Sequence, residues 1–181
     1  MKKIGLLSDT HSYWDEKYAA YFEGCDEIWH AGDFGSMEIA EKLIDLKPLR
    51  GVCGNCDGYP IRYNFGPTLY FELEGVSVLL THIGGYPGRY APEIRQALDR
   101  FQPRLFVCGH SHIAKVMFDE ARQMLCVNPG AAGRQGYHQV RTLMRFELDA
   151  GNIRNMELIE LGPRALPSAE GPETPSDIFR V

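Results

Sequence analysis

Short apolar runs that break off into small and polar residues set the rhythm of this chain. Lys2–Leu7 ends in Ser8-Asp9-Thr10-His11, Glu27–Ala31 in Gly32-Asp33, and Leu49–Cys53 in Gly54-Asn55-Cys56-Asp57. Apolar runs this short, bounded by Gly, Asn and Asp, read as buried strands. Between them the period lengthens. Asp15–Phe22 reads as a helix, and Met37, Ala40, Leu43 and Ile44 form a stripe on a second one, which Ser36 can cap and Pro48 stops. Strand, helix, strand, helix, strand predicts parallel pairing.

The second half is richer in strands. Thr68–Leu73 and Val76–Thr81 flank Glu74-Gly75, a hairpin signal, and the second of them runs into His82. Pro92–Phe101 is expected as a helix with Ile94, Ala97, Leu98 and Phe101 on one face. Leu105–Cys108 leads into Gly109-His110-Ser111-His112. Strands over Lys115–Phe118, Met124–Val127, Thr142–Leu148 and Ile153–Leu158 follow, separated by turn-forming clusters that include Asn128-Pro129-Gly130. The pattern predicts an α/β fold of two packed sheets flanked by helices. Segments 59–67 and 84–91 carry no readable period. With no repeat and no interior linker, residues 1–161 read as one domain, and residues 162–181 as a Pro-rich tail.

Composition narrows the partners. The 181 residues are 44% hydrophobic and 24% charged, an ordinary globular balance for one substantial core. Net charge is −5 with no Lys/Arg run, so nucleic acid is not expected as a stable partner. No apolar stretch reaches the roughly 18 residues of a membrane helix, and Ser8 and Asp9 interrupt the first apolar run too early for a signal peptide. A cytoplasmic protein is expected. Five scattered cysteines, Cys25, Cys53, Cys56, Cys108 and Cys126, argue for reduced thiols rather than a disulfide framework. Cys53 and Cys56 have redox spacing, but redox pairs open a helix in a different βαβ context.

The residues at the strand ends carry the chemistry. Asp9, His11, Asp33, Asn55, His82, His110 and His112 each follow a short apolar run. The C-terminal strand ends of an α/β sheet form one rim where ligands bind. Imidazole, carboxylate and amide oxygen together make a metal-ligand set. Asp9 and His11 stand two apart, as do His110 and His112, and in extended backbone each pair shares a face. Seven such groups suit two ions, which in dinuclear sites sit about 3.5–4 Å apart and share a ligand. Taken singly, each has a plainer explanation: a capped turn for Asp9 and His11, a packed strand-end imidazole for His82, a helix N-cap for Asp33. Their recurrence at successive strand ends favours the metal reading.

The ordered pattern D-x-H, G-D, G-N-x-D, H, G-H-x-H resembles the calcineurin-like metallophosphoesterases, over Lys2 to about Gly130. The short length is similar to their small bacterial and archaeal phosphodiesterase subfamily. The resemblance implies a four-layer αββα sandwich of two mixed β-sheets flanked by helices. It implies one metal on Asp9, His11 and His112, a second on Asn55, His82 and His110, and Asp33 as the bridge. Asp57 resembles the family's acidic residue that orients a neighbour. Asn128-Pro129-Gly130 resembles the turn after the last ligand strand, with Ala131 where the family often has Ser. Cys56 departs from the many relatives with His there, placed to touch the phosphate or protonate the leaving oxygen.

The implied activity is hydrolysis of phosphodiesters, and of phosphomonoesters as a further class, by a metal-bridging hydroxide. The implied cofactors are two divalent ions, Mn²⁺ first, with Fe, Ni²⁺ or Zn²⁺ also suited to the donor set. Asn55 and the cations would neutralise charge on the phosphoryl oxygens. A thiol, with a reference pKa of about 8.5, is a poorer general acid near neutrality than imidazole, so activated esters and diesters are expected to outrun alkyl monoesters. Arg134 and His138 are further candidates for phosphate contact, and Tyr86 and Arg89 for the cleft edge. His30 reads first as a core histidine and second as support behind the metals. The expected partner is a small phosphorylated substrate, with no membrane association, and relatives suggest a homodimer or higher oligomer. Two alternatives remain: a small-metabolite or nucleotide phosphatase, and a non-catalytic protein-interaction scaffold of the same fold, as in a eukaryotic retromer subunit.

Overall fold

In the computed structural model, which describes residues 1–166, side-chain alternation along β1 (Lys2–Leu7) decides how the layers stack. Ile4 and Leu6 enter a core shared by two sheets, whereas Leu7 enters a second core under helices. Gly5 lies on the helix side, where a Cβ would strike the Phe22 ring. Its absence lets α1 (Lys17–Phe22) press onto the strand.

The first sheet has the order β10 (Asn152–Pro163), β9 (Val140–Asp149), β1, β2 (Glu27–His30), β3 (Leu49–Gly51). β1, β2 and β3 run parallel, as the βαβ pattern predicts, and β9 pairs antiparallel with β1. The second sheet has the order β4 (Thr68–Leu73), β5 (Val76–Thr81), β6 (Leu105–Val107), β8 (Met124–Pro129), β7 (Ala114–Asp119). Here β5, β6 and β8 are parallel and the two edge strands antiparallel.

Ile4, Leu6, Trp29 and Val52 from one sheet meet Val78, Leu80, Val107 and Val127 from the other. Burial of each such side chain is worth roughly 1.5–3 kcal/mol. Trp29 takes Phe71 and Phe146 edge-on, with centroids 5.0 and 5.5 Å away. Outside the first sheet, α1, α2 (Met37–Leu46) and α3 (Tyr59–Asn64) bury Phe22, Leu43 and Ile61. Outside the second, α4 (Pro92–Phe101) buries Ile94 and Leu98 against Leu79 and Phe106. The architecture is the four-layer αββα sandwich of two mixed sheets.

Several boundaries differ from the sequence reading. The first helix starts at Lys17 rather than Asp15, because the Asp15 carboxylate accepts the Lys17 N–H and pairs with Arg141. Ser36 occupies the N-cap of α2 but makes no side-chain cap bond. The unread segment 59–67 contains α3, whose six residues are too few to display a period. β10 runs on to Pro163, well past Leu158 and into the segment read as tail. Register shifts between Arg154 and Glu157 and between Glu160 and Gly162 break its alternation. The rest of the expected Pro-rich tail, 167–181, lies outside the described residues. Among the described residues no helix is long and apolar enough to cross a membrane. All five cysteines are free thiols.

Candidate metal centre

Parallel strands from both sheets end on one rim. Asp9 and His11 leave β1, Asp33 leaves β2, Asn55 leaves β3, His82 leaves β5, and His110 and His112 leave β6. Backbone bonds join the segments: the Asp9 N–H donates to Gly32 O (2.9 Å), the His11 N–H to Asp33 O (3.0 Å) and the Gly109 N–H to His82 O (2.9 Å). One oxygen of Asp9 crosses between the sheets, accepting from Ser8 Oγ (2.6 Å) and from the His110 N–H (3.1 Å).

The paired residues do not converge through extended backbone. Asp9, His11, Asp33, His110 and His112 have φ of 55°, 45°, 57°, 68° and 58°. Left-handed backbone at non-glycine residues is costly, of order 1–3 kcal/mol each, and concentrates at functional sites. Each left-handed residue bends the chain where it leaves a strand end. Here the extended i, i+2 geometry is corrected: the pairs meet because the chain curls.

The donor atoms fall into clusters. Asp9, His11 and His112 bring one ligand atom each within 4.8 Å of the others, and so do Asp33, His82 and His110. His11, Asp33 and Cys56 form a third such trio, which joins the first two. His112 Nε2 is 3.0 Å from Asp9 Oδ1, and His82 Nε2 is 3.2 Å from Asp33 Oδ2. His11 Nε2 lies 3.8 Å from Asp9 Oδ1 and 3.7 Å from Asp33 Oδ2, so it spans the two groups. Asn55 Oδ1 stands 3.0 Å from His82 Nε2.

These contacts are poorly satisfied as hydrogen bonds. Asp9 Oδ1 is buried and has no donor. The His82 Nδ1–H can donate to Ala31 O at 2.7 Å, which leaves the Nε2 lone pair facing oxygens of Asn55, Asp33 and Asp9. Lone pairs crowded on one point call for a proton or a cation among them. The donor set therefore fits divalent metal ions.

Protonation follows the same logic. Desolvation works to raise the Asp33 and Asp9 carboxyls, but the neighbouring imidazoles and hydrogen-bond donors hold both below the ordinary carboxylate range. Desolvation works to lower His82, yet the Asp33 and Asp9 carboxylates push it up. The pocket is thus built to hold positive charge. Burial lowers His11, which keeps its lone pair free. The Cys56 thiol is exposed but raised, first by desolvation and then by Asp33, so it stays protonated near neutrality.

Other residues hold this arrangement in place. The Asp57 carboxylate accepts the Gly54 N–H (2.7 Å) and the Gly35 N–H (2.8 Å), tying the loops after β3 and β2 together. A Cβ on Gly54 would land on the Asp33 carboxylate, so close approach to that carboxylate is what demands glycine here. His30 is fully buried, stacked on Phe34, and held neutral at about 3 by desolvation. It meets Thr10 Oγ1 at 2.9 Å and accepts the Gly32 N–H at 3.1 Å, so a core histidine also braces two ligand loops. Asn128 Nδ2 donates to Gly109 O (2.7 Å) and Ser111 Oγ (3.1 Å), steadying the loop between His110 and His112.

Arg62 of α3, which sequence reading missed, donates to Asp57 O (2.7 Å) and to Gly54 O (3.0 Å). Nothing in the surrounding sequence marks it. Of the two candidate phosphate contacts, His138 stands edge-on to His112, with centroids 5.2 Å apart, and bonds Gly133 O (3.0 Å). The Arg134 guanidinium is not brought to the cluster: it rests over Tyr13 and donates to the carbonyls of Pro163 and Arg164. Tyr86 and Arg89 line a groove that begins at His110.

Many solved structures share the fold, three of which illustrate its range. An archaeal phosphodiesterase superposes with a TM-score of 0.69 at 22% identity, over 88% of this chain and 99% of its own. A predicted phosphoesterase from Streptococcus pneumoniae gives 0.65 at 19% identity, over 88% and 89%. Vps29 from Entamoeba histolytica in complex with zinc gives 0.67 at 14% identity, over 87% and 98%. Among curated proteins no sequence matches the chain. The profile of the calcineurin-like phosphoesterase superfamily domain matches residues 1–151, in agreement with the order of the ligand loops and with the αββα layers, and the chain belongs to that superfamily.

Proposed function

We propose that the protein is a metal-dependent phosphoesterase that cleaves phosphodiesters of small molecules, with phosphomonoesters as poorer substrates. The observation that carries this reading is the buried, donorless Asp9 Oδ1 in a ring of imidazoles that continues through His11 to Asp33. Asp9, His11 and His112 would hold one ion, Asn55, His82 and His110 a second, and Asp33 would serve both. Mn²⁺ is the first choice, and Fe, Ni²⁺ and Zn²⁺ suit the same donors. When bound, such ions supply Lewis-acid charge for the phosphoryl oxygens and a water acidic enough to act as nucleophile near neutrality.

The chain's own residues do the rest. Asp9 and Asp33 stay ionised and set the charge of the site. His82 is oriented by Ala31 O so that Nε2 points inward. Asn55 offers an amide whose Oδ1 faces His82 and whose Nδ2–H can donate to a phosphoryl oxygen. Cys56, at the exposed mouth beside Asp33, keeps a proton on sulfur that a leaving oxygen can take. His138 supports the back of His112.

The reading is tested with chelator-stripped protein and bis(p-nitrophenyl) phosphate. Returning Mn²⁺ is expected to raise turnover at least about 10²-fold. Turnover indifferent to chelation would refute the assignment. Metal uptake without hydrolysis of any phosphoester would favour the scaffold alternative.

Cys56→His is expected to raise turnover of alkyl monoesters by about tenfold or more, because imidazole is the better acid near neutrality and adds positive charge. The check is kcat for an alkyl phosphate measured beside that for p-nitrophenyl phosphate, whose leaving group needs little help. Equal changes for both substrates would show that Cys56 is not the acid.

A further inference from the structure

A groove of about 390 Å³ opens beside the candidate metal centre and shares His110 and Ser111 with its rim. A volume of this order is that of a small-molecule subsite. Its floor is buried and structured, with Cys108 and Asn128 4% and 7% exposed. Its walls include Ile83 and Ile113, which directly follow the candidate ligands His82 and His112 and are 46% and 61% exposed. Two large apolar side chains held open to solvent beside a polar centre are suited to an apolar or flat ligand body.

The charge of the groove departs from that of the protein. The chain carries 24 acidic against 19 basic residues, yet none of the groove-lining residues is acidic and two are cations, Arg89 and Lys115. The Lys115 ammonium sits over the Tyr86 ring, 4.1 Å from its centroid, so the ring positions the charge while leaving its donors free for an anion. Arg89 adds a planar fork of the kind that fits phosphate oxygens.

We propose that this groove is the subsite for the part of the substrate beyond the scissile phosphate, and that it selects a nucleoside-like body carrying a second phosphate. The inference rests on the phosphoesterase reading of the neighbouring centre. With the scissile phosphate at the cluster, the ring body lies along Ile83 and Ile113, and the second phosphate meets Arg89 and Lys115.

The test uses the full chain loaded with Mn²⁺ and hydrolysing bis(p-nitrophenyl) phosphate. Inorganic phosphate, adenosine 5′-monophosphate and adenosine 3′,5′-bisphosphate are compared as inhibitors, and the two nucleotides are also titrated by calorimetry. The bisphosphate is expected to bind at least about tenfold tighter than the monophosphate, the size of one or more charge-assisted hydrogen bonds. The double variant Arg89→Gln/Lys115→Gln should bring that ratio close to one. Lys2→Gln/Lys47→Gln, which removes the same two charges at the start of β1 and just before β3, at the opposite end of the sheet, should leave it intact. Equal affinity for the two nucleotides in the unmodified protein, or an undiminished ratio in the double variant, overturns the proposal. Equal binding of fructose 1,6-bisphosphate overturns the nucleoside-like body. If no phosphoester is hydrolysed while calorimetry keeps the ratio and its loss in the double variant, the subsite stands and the phosphoesterase reading falls.

Discussion

Replacing Asp33 by Asn is expected to lower turnover by at least about 10³-fold and to strip metal from the protein, while the fold survives. The reason lies in how the side chain is held. Oδ1 accepts the Cys56 N–H at 2.8 Å, whereas Oδ2 faces His82 Nε2 at 3.2 Å and His11 Nε2 at 3.7 Å. In the variant the Cys56 N–H selects the amide oxygen, so the new NH₂ takes the place of Oδ2. A donor then points where a cation needs an acceptor, and one negative charge is gone. The same NH₂ can satisfy the His82 lone pair, but the favourable pairing of the carboxylate with the imidazoles is lost, so the metal-free protein should stay folded and melt modestly below the parent. Metal content by atomic emission, turnover and melting temperature together check this. An Asp33→Asn variant with full metal content and turnover within about tenfold of the parent would show that Asp33 does not join two ions.

Arg141→Leu is expected to cost the fold about 3–5 kcal/mol, roughly 10 °C in melting temperature. Arg141 is 2% exposed. Its guanidinium pairs with Asp15 at 2.8 Å and donates to Ala132 O (3.2 Å) and Leu161 O (3.3 Å). It thereby joins the loop after β1, the segment after β8, and β10. Leucine takes one donor from each carbonyl, leaving Ala132 O to Tyr18 and Leu161 O to Lys17, and leaves one carboxylate half-buried without its cation.

The pH dependence of this effect has a definite sign. Desolvation works to raise Asp15, but the Lys17 N–H and Arg141 outweigh it and hold the carboxyl below its ordinary value. A depressed carboxyl contributes stability above its unfolded pKa, about 3.9, and loses it as pH falls through the folded value. The penalty of the variant should therefore be full at pH 7 and shrink below about pH 4. Denaturant unfolding at the two pH values measures it. A penalty independent of pH would assign the loss to packing and carbonyl bonds alone.

Much of the architecture is legible in the order of residues alone. Apolar runs that end in Asp, His, Gly and Asn placed β1, β2, β3, β5 and β6 within a residue or two, because a buried strand must be apolar and its exit need not be. The same runs placed seven candidate ligands on one rim, since parallel strands finish on the same side. α3 stayed hidden, as six residues show no period, and Arg62 stayed hidden with it. The bulges of β10 concealed its length by breaking the alternation that would have revealed it.

The chain's order of residues was enough to decide which groups meet at the rim and which layers they rest on. How they meet was decided only in three dimensions. The left-handed turns at Asp9, His11, Asp33, His110 and His112, the fit of Gly54 against Asp33, and the diversion of Arg134 to β10 depend on neighbours far away in the chain. Hydrophobic patterning is a property of single residues and local spacing. Backbone strain, donor direction and the pairing of a buried charge belong to contacts between segments, and these exist only once the sheets have packed.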